Sequence, residues 1–362
     1  MISAFQRAAN IWTARIKTPI TIRINIDYGF NRPSGGAFPD DIVGSTSSGS
    51  VSVDYATARA NLIGSSSSTT ESTIYNSLPA AKVPVNTGNG SALEVARSVG
   101  QALGFVPLDA STAVATISFN KSMPFDFNPD NGVGFNSLDF VGTAAHEIGH
   151  ALGFISNAGE GSTTPLTSWD LFRFRSGTTT GTFTTAQRIM SIGGSQMYYT
   201  TQTFRVEGLN TTELSLSNGG PDGGGGDGNQ SSHWKADEIT GRYIGIMDPT
   251  ISLGERSVTT ENDFSALESL GWNMVSSVTP PAPLPAADND NFGASYVLVG
   301  CVGSVTGSNL NSTRETGEPN HLSLTSGNAG RHSIWFQWQA PTSGSVTFTT
   351  AGSAYDTVLG VY

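Results

Sequence analysis

One cysteine, Cys301, in a chain of 362 residues leaves no internal disulfide and no cysteine-rich metal site. Charge is scarce as well. Charged residues make up 13%, with Lys+Arg 18 against Asp+Glu 29 and a formal net charge of -11. An acidic chain with no Lys/Arg cluster is not a general nucleic-acid binder. No uninterrupted apolar run reaches the ~18 residues that a membrane-spanning helix needs. Met1 opens no signal peptide either: Ile2 to Ile16 is amphipathic and lacks a continuous apolar stretch. Histidine is rare, with His 5 in the whole chain, so each one carries information. Hydrophobic residues are present at 37%, enough for packed cores, and the length predicts two domains.

The abundance of Gly, Ser, Thr and Asn with so little charge resembles the composition of exported bacterial proteins. Either the protein is cytoplasmic or its leader is missing from this chain, and a secreted protein is the expectation. Along the chain, residues 1–16 read as a helix with Phe5, Ala8, Trp12 and Ile16 on one side. Ile20, Ile22, Ile24 and Ile26 alternate with Thr21, Arg23 and Asn25, the pattern of a half-buried strand. The Ser/Gly/Thr-rich stretches 44–52 and 64–70 read as loops. Asp54 is placed to cap a short helix over 55–63, and Leu93, Val95, Ala96, Val99 and Leu103 predict another over 91–103. Residues 114–119 form a short strand. This organisation predicts helices laid on a sheet, with a further helix crossing beneath it.

Later, 169–175 and 197–207 read as strands and 218–232 as a polar loop. Asp222 to Asn229 resembles a calcium-binding glycine-aspartate repeat, but it occurs once, and such repeats need stacked neighbours, so a flexible loop is the expectation. Phe264, Leu267 and Leu270 mark a last helix ending at Gly271-Trp272. The proline-rich run 279–285 sits within a linker spanning 276–287. Beyond it, 288–362 shows strand-like alternation, as in Ser333 to Trp338 and Ser345 to Thr349. The expected organisation is an α+β domain over 1–275, the linker, and an all-β module.

The most informative segment is His146-Glu147-Ile148-Gly149-His150. Two histidines four apart on a helix share one face and can reach a single metal ion. Glu147, one position along, cannot join them but can hold and deprotonate a metal-bound water. Zinc matches three protein ligands and an open position. Val141, Ala144, Ala145, Ile148, Ala151 and Leu152 give this helix an apolar back. Ser137 or Asp139 can cap its start, and Gly153 suits its end.

A third ligand is needed. In the spacing HExxHxxGxxH it would fall on Ser156, a poor zinc ligand. His321 and His332 lie beyond the linker, which leaves His233 in Ser231-Ser232-His233-Trp234, with a carboxylate such as Glu268 or Asp170 as the rival. Gly245-Ile246-Met247-Asp248-Pro249 follows closely.

HExxHALGF, a long insertion, an SHW histidine and a tight turn carrying methionine together resemble the leishmanolysin-like branch of the metzincins. They are closer still to bacterial secreted metalloproteases with HEIGHALGF, DLFRF, SHW and IMDP segments. The resemblance covers residues 1–275, most firmly 139–154 and 231–272. It implies a metzincin-like α+β domain with helices on a mixed twisted sheet. It also implies His146, His150 and His233 as zinc ligands, Glu147 as general base and Met247 as the residue of the Met-turn. Tyr243 precedes that methionine and is left out of the site. Gly317 to His321, Ser333 to Phe336 and Ala354 to Leu359 resemble the bacterial pre-peptidase C-terminal domain, a β-sandwich that reads as truncated at Tyr362.

The expectation is a secreted, monomeric zinc endopeptidase acting on protein or peptide substrates. The substrate would lie extended along the exposed edge of the N-terminal sheet, and calcium is a possible further ion that the sequence does not support. The alternative is a non-catalytic adhesion or carbohydrate-binding protein with an inactive protease-like domain. Its sequence mark would be loss of Glu147 or a ligand, and neither is lost.

Overall fold

The computed structural model describes residues 1–108, 112–128, 133–134, 136–220, 225–275, 288–300, 303–305, 307, 309, 312–318, 332–350 and 357–362. The chain divides into two units, Met1–Val275 and Ser276–Tyr362. The proline-rich linker, Cys301 and His321 lie outside the described residues, as do 221–224 of the polar loop. No helix among the described residues is long and apolar enough to cross a membrane.

Unit 1 is a mixed α/β assembly of small sheets. Helix α1 (Ile2–Thr13) buries Ala4, Ala8 and Trp12 at four-residue steps. Strand β1 (Ile24–Gly29) starts later than the isoleucine alternation predicts. Its ladder partner begins opposite Ile24, so Ile20 and Ile22 pack against the core without a strand to pair with. Residues 44–52 are not a loop. They form β2 (Gly44–Ser48) and most of β3 (Ser50–Asp54). Asp54 caps α2 (Tyr55–Ser65) by accepting from the Thr57 backbone N–H. Ser68 and Glu71 form a capping box at the start of α3 (Thr69–Ser77).

The helix expected over 91–103 is instead β4 (Asn89–Ala96) followed by the short α4 (Arg97–Ala102). Leu93 and Val95 are buried two apart and stand opposite Val53 and Val51 of β3, so the period-2 part of the pattern prevails there. Next come β5 (Ala115–Asn120), β6 (Phe125–Asp126), β7 (Leu138–Asp139) and α5 (Phe140–Leu152), the helix that carries the histidine pair.

After α5 the chain forms β8 (Pro165–Thr167), a 3-10 turn at Asp170–Phe172, and β9 (Arg173–Phe174). The strands expected over 169–175 and 197–207 are thus shorter, the second being β10 (Met197–Tyr198) and β11 (Phe204–Val206). Strands β12 (Leu209–Thr211) and β13 (Leu214–Ser215), and helices α6 (Asp237–Thr240) and α7 (Glu261–Ser269), complete the unit.

Unit 1 contains two three-stranded sheets that bear on the site, and α5 packs on the first. In the first, β5 lies between β1, which it pairs in parallel, and β2, which it pairs antiparallel, so β2 is an edge strand. In the second, β4 lies between antiparallel β3 and parallel β8. Unit 2 contains, among its described residues, a parallel pair of β14 (Tyr296–Leu298) and β15 (Phe336–Trp338). The strand expected over Ser345 to Thr349 has no ladder partner among them.

Trp12 joins α1 to α5. It is buried, its indole N–H donates to the Ala145 carbonyl at 3.0 Å, and its ring meets Phe264 edge-on at 5.6 Å. Trp12→Ala is expected to lower the unfolding free energy by about 3–5 kcal/mol through the cavity it leaves. Denaturant unfolding measures this, and a loss below about 1 kcal/mol contradicts the role given to Trp12.

Candidate metal centre

The histidine helix forms for local reasons and is then held by distant ones. Asp139 accepts from the Val141 N–H at its start, and Gly153 ends it at φ 123, a conformation that side chains resist. Ala144, Ala145, Ile148, Ala151 and Leu152 are buried. On the sheet side, the single Thr46 hydroxyl proton is shared between Glu147 Oε2 at 2.6 Å and the Glu147 carbonyl at 3.1 Å, and the Ser48 hydroxyl donates to the His150 carbonyl at 3.0 Å. Thr46 and Ser48 are two apart on β2, so both point to one face. The hydroxyl-rich segment that reads as a loop is a strand whose side chains serve the helix.

His146, His150 and His233 converge. Their Nε2 atoms stand 3.1 Å (His146 to His150), 3.1 Å (His146 to His233) and 3.2 Å (His150 to His233) apart. Each Nδ1 faces a backbone carbonyl: Ile246 at 2.7 Å for His146, Phe154 at 2.6 Å for His150 and Gln230 at 3.0 Å for His233. A carbonyl only accepts, so each Nδ1 carries the proton and donates, which leaves a lone pair on each Nε2. Burial pushes His146 down to about 3 and His150 down to about 4. It holds His233 well below the usual range, with repulsion from the other two rings adding to it. All three imidazoles are neutral at pH 7, the form a metal ligand needs.

The donor set fits zinc. The centre of such a triangle lies about 1.8 Å from each nitrogen, close to the ~2.0–2.1 Å zinc–nitrogen distance, so His146, His150 and His233 would hold one ion together. Each of the three histidines also has a carbonyl partner of the kind that fixes a metal-bound imidazole.

The third histidine is supported from several sides. The Trp234 backbone N–H donates to the Met247 carbonyl at 3.0 Å, and its indole N–H donates to Asp263 Oδ1 at 2.8 Å. The Trp234 ring packs on Trp169 at 4.9 Å and Tyr198 at 5.4 Å. Asp263 is fully buried and also accepts from the Ile246 N–H at 2.9 Å and the Thr260 N–H at 2.7 Å. One carboxylate therefore holds the residue after His233, the residue whose carbonyl orients His146, and the start of α7. Met247 is buried beneath the helix, where a Cβ on Gly149 would come within 2.4 Å of its sulfur.

Glu147 is buried, with 5% of its surface exposed, and its Oε2 accepts from the Thr46 hydroxyl at 2.6 Å. Burial pushes its carboxyl up to about 7, with the Thr46 hydrogen bond opposing. Gly44 leaves room for it, since a Cβ there would come within 2.6 Å of Oε1.

The rival carboxylates are elsewhere. Asp170 accepts from Ser156, Asn157, Thr167 and Arg173, and Glu268 accepts from Ser68, so neither joins the histidine cluster. Ser156 is thereby engaged with Asp170. Tyr243 donates its hydroxyl to the Val258 carbonyl at 2.8 Å. In unit 2, His332 donates to the Ser312 carbonyl. In the polar loop, Asp227 pairs with Lys235 at 2.9 Å and accepts from the Asn218 N–H, so its carboxylate is committed within the protein. Asp237, Glu238 and Asp248 also bring oxygen atoms together, with Asp248 accepting from Thr250 and from the Asp237 N–H.

Thr46, Ser48, Gly44 and Asp263 escape a sequence reading. Asp263 alone leaves a trace, in the capping spacing Thr260-Glu261-Asn262-Asp263. Comparisons with protein-family models, with curated proteins and with solved structures each found no match to this chain.

The contact between Gly149 and Met247 makes a prediction whose sign is informative. Alanine is the better helix former by about 1 kcal/mol. Gly149→Ala should nevertheless destabilise by about 1–3 kcal/mol, because its methyl overlaps the Met247 sulfur. In a Met247→Ala background that penalty should vanish, as a double-mutant cycle by denaturant unfolding would show. Equal penalties in both backgrounds would show that Met247 does not fill this space.

Proposed function

We propose that this chain is a secreted zinc endopeptidase of the metzincin type, with His146, His150 and His233 as ligands and Glu147 as general base. The observation that carries the reading is the triangle of three unprotonated Nε2 atoms 3.1–3.2 Å apart. Three lone pairs directed at one point repel one another, and a cation at that point turns the repulsion into coordination. Three nitrogen ligands that leave a position open are the mark of a catalytic zinc site rather than a structural one.

When bound, zinc supplies Lewis-acid chemistry: it lowers the pKa of a coordinated water to about 7 and polarises a carbonyl. The chain's own groups do the rest. Thr46 holds Oε2 of Glu147, which leaves Oε1 to take the proton of the attacking water and return it to the leaving amine nitrogen. A carboxyl raised toward neutrality by burial is matched to that exchange at physiological pH. Thr46 lies on β2, the edge strand of its sheet, so an extended peptide pairing with β2 would pass along the helix face that carries Glu147. Met247, buried beneath Gly149, would form the floor under the histidine helix.

Two variants test the reading. Glu147→Gln keeps the shape but cannot accept a proton. It should bind zinc as the parent does while hydrolysis of denatured casein falls about 10²–10⁴-fold. Activity within tenfold of the parent would remove Glu147 from this role. His233→Ala should lose zinc and activity together, as metal analysis after dialysis would show. Unchanged zinc content would mean that another group completes the site.

A further inference from the structure

The segment Asp170-Leu171-Phe172-Arg173-Phe174 has no part in the chemistry above, yet its two charged side chains are buried completely. Asp170 is saturated from one side. Its Oδ1 accepts from the Ser156 hydroxyl at 2.6 Å, and its Oδ2 accepts from the Asn157 N–H at 3.0 Å, the Thr167 N–H at 3.0 Å and the Thr167 hydroxyl at 2.9 Å. Ser156 and Asn157 belong to the turn that leaves α5, whose Phe154 carbonyl orients His150.

Arg173 is held from the other side. Its Nε donates to Asp170 Oδ1 at 3.2 Å, and its Nη1 donates to Gln196 Oε1 at 2.7 Å and to the Ser217 carbonyl at 3.0 Å. Its Nη2 donates to the Ser231 carbonyl. Ser217 in turn donates its N–H to the His233 carbonyl at 3.1 Å and its hydroxyl to the Trp234 carbonyl at 2.7 Å.

We propose that the Asp170–Arg173 pair is the positioning device that sets the distance between the HExxH helix and the third histidine. Asp170 fixes the turn after His150, Arg173 fixes the loop before His233, and the ion pair makes the two one body. The inference rests on the reading of the three histidines as a zinc site. A direct strut supports it: the Ser156 N–H donates to the Ser232 hydroxyl at 3.1 Å, one residue from His233. The long insertion parts the ligands in sequence, and the clamp restores their proximity in space.

The chemistry needs both partners as they are. A guanidinium offers a rigid planar fork that reaches a carboxylate, an amide oxygen and two carbonyls at once, and a lysine ammonium cannot. Removing one member of a buried pair also strands the other charge, so a gentler variant is needed beside the obvious one. Ser156→Ala removes the hydroxyl's bond to Asp170 and the one it accepts from the Ala158 N–H, and strands no charge.

The test compares the parent chain, Arg173→Lys and Ser156→Ala. Zinc affinity is measured by competition with a chromophoric chelator, the visible spectrum is recorded with cobalt(II) in place of zinc, and thermal unfolding is followed without metal. The expected result is zinc binding weakened about tenfold or more in both variants. The cobalt spectrum should be altered, and Ser156→Ala should unfold without metal close to the parent temperature. If Arg173→Lys does not fold, Ser156→Ala alone decides the matter. Variants that unfold at lower temperature but keep the parent zinc affinity and cobalt spectrum would overturn the proposal and leave the pair a structural one. A parent chain that binds no zinc would overturn the metal reading itself, a separate outcome recognised before any variant is compared.

Discussion

Three imidazoles that each spend their only proton on a backbone carbonyl have nothing left to donate to one another. Bringing their remaining nitrogens to 3.1–3.2 Å is therefore repulsive unless a positive charge sits among them. Protonating a ring would relieve the repulsion, but burial holds all three far below neutrality in pKa. The arrangement must be imposed by the rest of the unit, and much of unit 1 can be understood as that imposition. The sheet edge grips the helix through Thr46 and Ser48, α1 grips it through Trp12, and Met247 supports it from below.

His233 needs more support than the other two. His146 and His150 inherit their spacing from the helix, whereas His233 comes from a loop more than eighty residues along the chain. Its surroundings are correspondingly well anchored: a buried tryptophan next to it, a carboxylate that also fixes α7, and the buried Arg173 of β9 bonded to the carbonyl of Ser231. Side chains locked by packing and by their own hydrogen bonds hold a site within fractions of an ångström, which loop backbone alone does not.

What the sequence shows and what it hides follow from the range of each interaction. The histidine helix, its Asp139 cap and its Gly153 stop are local and legible. His233 follows from there being few histidines to choose from. The hydroxyl-rich strand β2 is not legible, because Thr46 and Ser48 are explained by carbonyls about a hundred residues away. Residues 91–103 mislead because a strand with Leu93 and Val95 inward runs directly into a helix with Val99 inward, and the sum imitates one amphipathic helix. Asp170 and Arg173 look like an ordinary i,i+3 pair, and their real partners lie up to 58 residues off.

The central claim is that the three Nε2 atoms bind one metal ion together. X-ray absorption at the zinc edge of the purified full chain tests it most directly. The expected spectrum has about three imidazole nitrogens at about 2.0–2.1 Å and one oxygen from solvent at the open position. A zinc shell with two imidazoles and a carboxylate in place of the third, or zinc bound without imidazole at all, would contradict the account.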